Sequence, residues 1–170
     1  MRKDRLLFIE NKGMAWGATI NDFLPFISER SGKLFLTLFR IVAVTFISYW
    51  LYDSIKKNAG KLLIISLSMV LAGAIGNIID SVFYGYLFTE SYYNVAQFNP
   101  GNGYESVFHG HVVDMLQFPM LTWEWPMWLP YVGGESFTFF EPVFNIADTS
   151  ISIGVGMMLL FNKKMFPQNS

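Results

Sequence analysis

Three carboxylates in this chain stand among apolar residues, where an ionised group is costly to keep. Asp148 lies in Phe144-Asn145-Ile146-Ala147-Asp148-Thr149-Ser150-Ile151, inside a run from Pro142 to Phe161 that carries no other charge. Asn145 precedes it by three residues, so on a helix the amide shares its face and can orient or hydrogen-bond the carboxyl. Asp114 sits in Phe108-His109-Gly110-His111-Val112-Val113-Asp114-Met115-Leu116, with apolar side chains on both sides. Asp80 closes Leu71-Ala72-Gly73-Ala74-Ile75-Gly76-Asn77-Ile78-Ile79-Asp80, where Asn77 shares its polar face. Arg40 is the lone charge between Leu34 and Leu51. Two acids brought together in a partly dry site cannot both ionise easily, so one keeps a proton while the other polarises a water. That is the chemistry of an aspartic protease.

The elements that position these groups follow from composition. Of 170 residues, 52% are hydrophobic, 18% aromatic and only 15% charged, a poor match to a soluble surface. Apolar runs at 33–52, 62–82 and 142–161 each approach the length needed to cross ~30 Å of hydrocarbon as a helix. Lys56, Lys57 and Lys61 lie between the first two, and Lys163 and Lys164 follow the third, which puts 53–61 and 162–170 in the cytoplasm. The connection 83–141 has no Lys or Arg but includes Glu90, Glu105, Glu124 and Glu135, so it is expected outside. Counted from their cytoplasmic lysines at helical rise, Arg40, Asp80 and Asp148 stand at roughly 24, 28 and 22 Å. All three reach a similar depth just under the outer surface. The expected fold class is thus a membrane protein, mainly α, with three transmembrane helices, a small extracytoplasmic β-cradle and an aromatic-rich extracytoplasmic insert, in a single domain spanning 1–170.

Residues 1–30 supply the cradle: Leu6 to Glu10 is a short apolar run, Asn11-Lys12-Gly13 is turn chemistry, and Met14 to Ile20 is expected to return as a second strand. On the second span, Gly73, Gly76 and Asn77 line one face, where small residues let a neighbouring helix approach closely. The outer connection is rich in Tyr, Phe and Trp, which favour the membrane interface. It reads as an interfacial cap, with Asn99-Pro100-Gly101-Asn102-Gly103 as a flexible loop. There is no cysteine, hence no thiolate chemistry, and a net charge of −1 argues against nucleic acid as a partner.

Asn11-Lys12-Gly13-Met14-Ala15-Trp16-Gly17, Gly73 to Asp80, Val112-Val113-Asp114-Met115 and Phe144 to Ser150 together resemble the ordered motifs of the lipoprotein signal peptidases, signal peptidase II. The resemblance implies an intramembrane aspartic endopeptidase of the bacterial cytoplasmic (inner) membrane. It would cut prolipoproteins before the diacylglyceryl-modified cysteine on the extracytoplasmic side and would be sensitive to globomycin-like inhibitors. Carried over by motif, Asp114 and Asp148 are the expected catalytic dyad. Asn77 and Asn145 would position acids and substrate, Asp80 would support the site, and Asn11 with Gly13 would belong to the cradle that holds the lipobox. No metal or other cofactor is implied. Partners are the modified prolipoproteins and membrane lipids, and a monomer is expected.

The chain departs from the family pattern in three places. The family usually has four spans, with an Asp and a Lys on the first; three are read here, so a truncated chain lacking that helix is expected, which also accounts for Arg2, Lys3 and Arg5 at an outer end. The family often places Arg directly after the acid matching Asp80, but Ser81 stands here, and Arg40, at similar depth, is expected to take over that charge. About thirty residues separate Asp80 from Asp114, more than the compact pattern, so the insert is expected to act as a loop or lid. Two other readings use the same residues. In a proton- or ion-coupled carrier, Asp80, Asp148 and Arg40 would form an ion relay, which leaves Asp114 without a role. His109, His111 and Asp114 could instead ligate zinc, although two histidines one residue apart are more often ordinary loop residues.

Overall fold

The computed structural model describes residues 5–11, 19–91, 95–117, 121–139 and 143–166. After β1 (Arg5–Asn11) and a short α1 (Ile20–Phe23), the chain enters the long helix α2 (Glu29–Lys56). Ser28 starts α2 by accepting the Ser31 N–H on its hydroxyl at 3.1 Å, and Lys56 lies in its last turn, where a cation suits the helix dipole. Asn58, in the left-handed region at φ 52°, turns the chain into α3 (Lys61–Ile79). That helix runs on through a π-helical turn (Asp80–Tyr84) into α4 (Gly85–Leu87). Helix α2 and the continuous Lys61–Leu87 stretch are long and apolar enough to cross a membrane. The third apolar helix, α5 (Ile146–Leu160), is shorter at 15 residues, and α6 (Asn162–Met165) follows it.

The helices bury small and polar residues and turn their large apolar ones outward. Thr37, Ser54, Ser66 and Ser81 are buried, whereas Phe35 and Phe46 are 63% and 66% exposed. Such a distribution suits a hydrocarbon surround, in which helices associate through close small-residue contacts rather than by hiding apolar surface from water. Helix α5 packs against α3 in this way. A Cβ on Gly73 would collide with the Ala147 carbonyl oxygen, one on Gly154 would come within 2.7 Å of the Ser66 carbonyl oxygen, and Ser150 donates to the Met69 carbonyl at 2.8 Å. A small apolar cluster of Leu63, Leu67 and Met165, flanked by Trp50 and Met157, closes the other end.

Two sheets lie outside the helices. In the first, β2 (Val112–Gln117) is central, with β1 on one side and β5 (Val143–Phe144) on the other, both antiparallel. The second is a ribbon of β3 (Leu121–Glu124) and β4 (Ser136–Phe139). The cradle is thus assembled across about a hundred residues of sequence, Ile9 facing Asp114 and Asn11 facing Val112. Most of the return strand expected at Met14 to Ile20 lies outside the described residues; Ile20 itself begins α1.

The Asn99–Gly103 segment, expected to be a flexible loop, and the residues that follow it as far as Gly110 are stitched to the end of the second long helix. Asn99 N–H donates to the Leu87 carbonyl, Tyr104 N–H to Phe88, Glu105 N–H to Gly85, Phe108 N–H to Val82 and Gly110 N–H to Ser81, at 2.8–3.1 Å. A helix C-terminus leaves carbonyls without intrahelical partners, and the connection supplies them. Glycine is required where the backbones touch: a Cβ on Gly103 would collide with the Gly85 carbonyl, and one on Gly110 with that of Asp80. The polar turn composition signalled a loop; the accepting carbonyls that hold it were not visible from composition.

Candidate active site

The π-helical turn, the β1–β2 pair and the start of α5 meet at one end of the helices, and each brings one acid. Asp148 arrives by helix capping. Asn145 has extended backbone angles (φ −116°, ψ 177°), its Oδ1 accepts the Asp148 N–H at 2.8 Å, and Asp148 Oδ2 accepts the Asn145 N–H at 3.3 Å. This reciprocal box places the Asp148 carboxylate in the first turn, at the positive end of the helix dipole. The expectation that Asn145 shares a helical face with Asp148 is therefore corrected. Asn145 precedes the helix because its side chain competes successfully for the free N–H groups there. The span expected at 142–161 accordingly starts as a strand, and its helix begins at Ile146.

Because Asn145 Oδ1 faces the Asp148 N–H, its Nδ2 must face the opposite way, which fixes the amide orientation. One hydrogen goes to Asp114 Oδ1 at 3.0 Å and the other to Asn77 Oδ1 at 3.1 Å. Asn77 in turn donates to Asp148 Oδ1 at 2.8 Å. The two acids are thus joined through two amides, Asp114 to Asn145 to Asn77 to Asp148. Asn77 reaches this point because it shares the Gly73–Gly76 face of α3 that packs against α5.

Asp114 lies in the middle of β2 and is only 4% exposed; Asn145 is 6% exposed. From β1, Asn11 donates its amide to Asp114 Oδ2 at 2.9 Å. Burial pushes the Asp114 carboxyl above the usual carboxylate range, the Asn11 hydrogen bond pulls it back, and the nearby Asp148 charge raises it again. Asp80, in the π-helical turn, accepts the Val113 N–H at 3.2 Å and so pins the strand beside Asp114. A π-helical turn often marks a functional site, since its extra residue redirects side chains without ending the helix. Arg40 donates to the Ser81 hydroxyl at 2.8 Å and lies close enough for the Asp148 and Asp114 charges to act on it. Thr37, one turn earlier on α2, hydrogen-bonds the Phe108 carbonyl at 3.1 Å.

Asn11, Asn77, Asp80, Asp114, Asn145 and Asp148 are therefore brought into one network, with Arg40 joined through Ser81. Gly13 lies outside the described residues. The histidines expected in the zinc reading have separate partners: His109 Nδ1 lies 3.1 Å from Ser106 Oγ, and His111 Nδ1 lies 3.0 Å from Glu10 Oε2. Among the described residues no three ligating side chains converge. Sequence reasoning missed Glu10, which meets His111 and Ser91, and Tyr104, which accepts the His111 N–H; the Glu10 bonds join segments about eighty to a hundred residues apart, and no local pattern signals them.

The family model described as Signal peptidase (SPase) II matches residues 4–162. A lipoprotein signal peptidase of Porphyromonas gingivalis is 50% identical over 155 residues, which cover 90% of this chain and 64% of that protein. One from Amoebophilus asiaticus is 33% identical over 165 residues, covering 96% and 63%. The chain thus spans a little under two thirds of the length of these relatives. No solved structure matches it.

Proposed function

The chain belongs to the signal peptidase II family, and from this premise we propose that it is an aspartic endopeptidase that removes signal peptides from prolipoproteins, cutting before the diacylglyceryl-modified cysteine. The carrying observation is the amide bridge that holds Asp114 and Asp148 together at the outer end of the helices. In this reading α2, the Lys61–Leu87 stretch and α5 cross the bacterial inner membrane, and the lysines at the opposite end, Lys56, Lys57, Lys61, Lys163 and Lys164, support an extracytoplasmic site.

In this reading the reaction needs one carboxyl protonated and the other ionised, and burial raises the Asp114 carboxyl above the usual carboxylate range. The ionised member takes a proton from a water whose oxygen attacks the scissile carbonyl carbon, while the protonated member gives its proton to the carbonyl oxygen. As the tetrahedral diol collapses and the C–N bond breaks, the first member passes the water proton to the leaving amine nitrogen and the second takes back the diol hydroxyl proton, which restores the pair. Asn77 and Asn145 hold the carboxyls in place during both transfers. Asp80 fixes β2, and Arg40, seated on Ser81, supplies a positive charge that offsets the carboxylates. Asn11 belongs to the cradle that receives the lipobox, and the family motif assigns Gly13 to the same task.

The test is incubation of the membrane-reconstituted protein with a lipobox peptide carrying a diacylglyceryl cysteine, followed by mass spectrometry of the products. A cut directly before the modified cysteine, with the unmodified peptide left intact, is expected; equal cleavage of both peptides, or of neither, would contradict the proposal.

A further inference from the structure

Beside Asn11 on β1 stands a carboxylate for which the hydrolytic reaction has no use. Glu10 Oε2 lies 3.0 Å from His111 Nδ1, and Glu10 Oε1 accepts the Ser91 hydroxyl at 2.5 Å. The Tyr104 hydroxyl accepts the His111 N–H at 2.8 Å and also hydrogen-bonds Glu10, with the Tyr104 ring 5.0 Å from the imidazole. The side chains of Glu10 and His111 are only 11% and 18% exposed. A carboxylate this enclosed is stable only when its oxygens are satisfied, and here the partners come from the outer connection, His111 standing directly before β2.

Strand geometry relates this cluster to the acids. Side chains alternate between the faces of a sheet. Glu10 pairs with Val113 and Asn11 with Val112, so Glu10 and His111 share one face while Asn11 and Asp114 share the other. A shift between Leu6 and Ile9 interrupts the β1–β2 ladder, leaving Ile9, Glu10 and Asn11 as the paired stretch beside the acid. A one-residue slip would turn Asn11 to the wrong face. We propose that Glu10 is a positioning residue: clamped to His111, Ser91 and Tyr104 on the far face of the sheet, it holds the register in which the Asn11 amide reaches Asp114. The outer connection is thereby part of the site's support, since it contributes all three clamping groups.

The groups facing Glu10 are His111, directly before β2, Ser91 and Tyr104 from earlier in the connection, and Tyr84 from the π-helical turn. Those facing Asp114 are Asn11, Asn145, Asp148 and Asp80, with Arg40 beyond. Removing the Glu10 charge directly would ease ionisation of Asp114. Releasing Asn11 would do the opposite, because its hydrogen bond favours the ionised carboxyl. The two routes therefore differ in sign.

The experiment follows the Asp114 carboxyl by infrared difference titration, assigned with Asp114→Asn, in the wild type, Glu10→Gln, Asn11→Ala and the double variant. Glu10→Gln should raise the midpoint by up to about one unit, and the double variant should go no higher than Asn11→Ala. Ser91→Ala, which removes a single clamping bond, should give a smaller rise. A fall, no change, or a double variant in which the single shifts add would overturn the proposal. The kinetic counterpart rests on the peptidase reading: kcat falls roughly tenfold at unchanged KM, and the acid limb moves to higher pH. Wild-type protein that fails to cleave the lipidated peptide would sink that reading, while the titration still decides the role of Glu10.

Discussion

Asn145 makes two kinds of bond that substitutions can separate. Its Oδ1 caps α5, and its Nδ2 donates to Asp114 and Asn77. Serine keeps a capping oxygen but cannot donate to both acceptors; alanine does neither. Loss of the cap costs about 1 kcal/mol. Loss of the donor to the buried Asp114 carboxyl costs about 2 kcal/mol, and loss of that to Asn77 about 1 kcal/mol. Asn145→Ala should therefore cost up to about 4 kcal/mol and Asn145→Ser about 3, upper values because the two lost donors share a network. The difference of about 1 kcal/mol corresponds to a melting midpoint about 2–4 °C higher for the serine variant in a chain of this size. Both should lose activity about equally, roughly 30- to 100-fold, because the donor that orients Asp114 is gone in each. Thermal denaturation in detergent, followed by tryptophan fluorescence, and cleavage kinetics on a lipidated peptide read the two effects independently. A serine variant with wild-type kcat, or alanine and serine variants of identical stability, would refute this division of labour.

Other consequences follow from the same contacts. The raised Asp114 carboxyl binds its proton more tightly folded than unfolded, so its stabilising contribution is full below the ordinary carboxylate value and fades as pH rises through the folded value. The melting midpoint of the wild type should fall over that window, and Asp114→Asn should flatten the slope; an unchanged slope would contradict the assignment. Gly73→Ala should destabilise by about 1–3 kcal/mol through the collision with the Ala147 carbonyl, seen as a lowered denaturation midpoint, whereas Gly60→Ala, with open space around it, should not. Arg40→Gln should reduce cleavage by roughly tenfold or more if its charge offsets the acids, and unchanged cleavage would remove Arg40 from the site.

How much of this was legible in the sequence depended on whether the cause was local. The apolar runs around Arg40, Asp80 and Asp148 exposed those charges at once, because hydrocarbon makes charge expensive. The Gly73–Gly76–Asn77 face foretold a close helix contact, since helical spacing and small size were sufficient signals, but not that α5 would make it. Asn145 was recognised as a partner of Asp148, but its place ahead of the helix was not, although Asn-x-x-Asp before an apolar run is a capping pattern. The pairing of β1 with β2 joins Asn11 to Asp114 across about a hundred residues, and register over that distance leaves no local mark. The clamp around Glu10 is hidden for the same reason. The π-helical turn at Asp80 likewise has no sequence signature here; it becomes intelligible once Gly110 is seen against its carbonyls.

The central claim is that Asp114 and Asp148 act as one unit through the Asn145–Asn77 bridge. The most direct measurement is kcat on a diacylglyceryl-modified lipobox peptide for Asp114→Asn, Asp148→Asn and the double variant, each verified as folded by its melting curve. Either single substitution should abolish cleavage to the same floor, with the double variant no lower, because residues that act as a unit fail when either half is removed. Residual activity in one single variant that the double variant loses would show two separate acids and contradict the account.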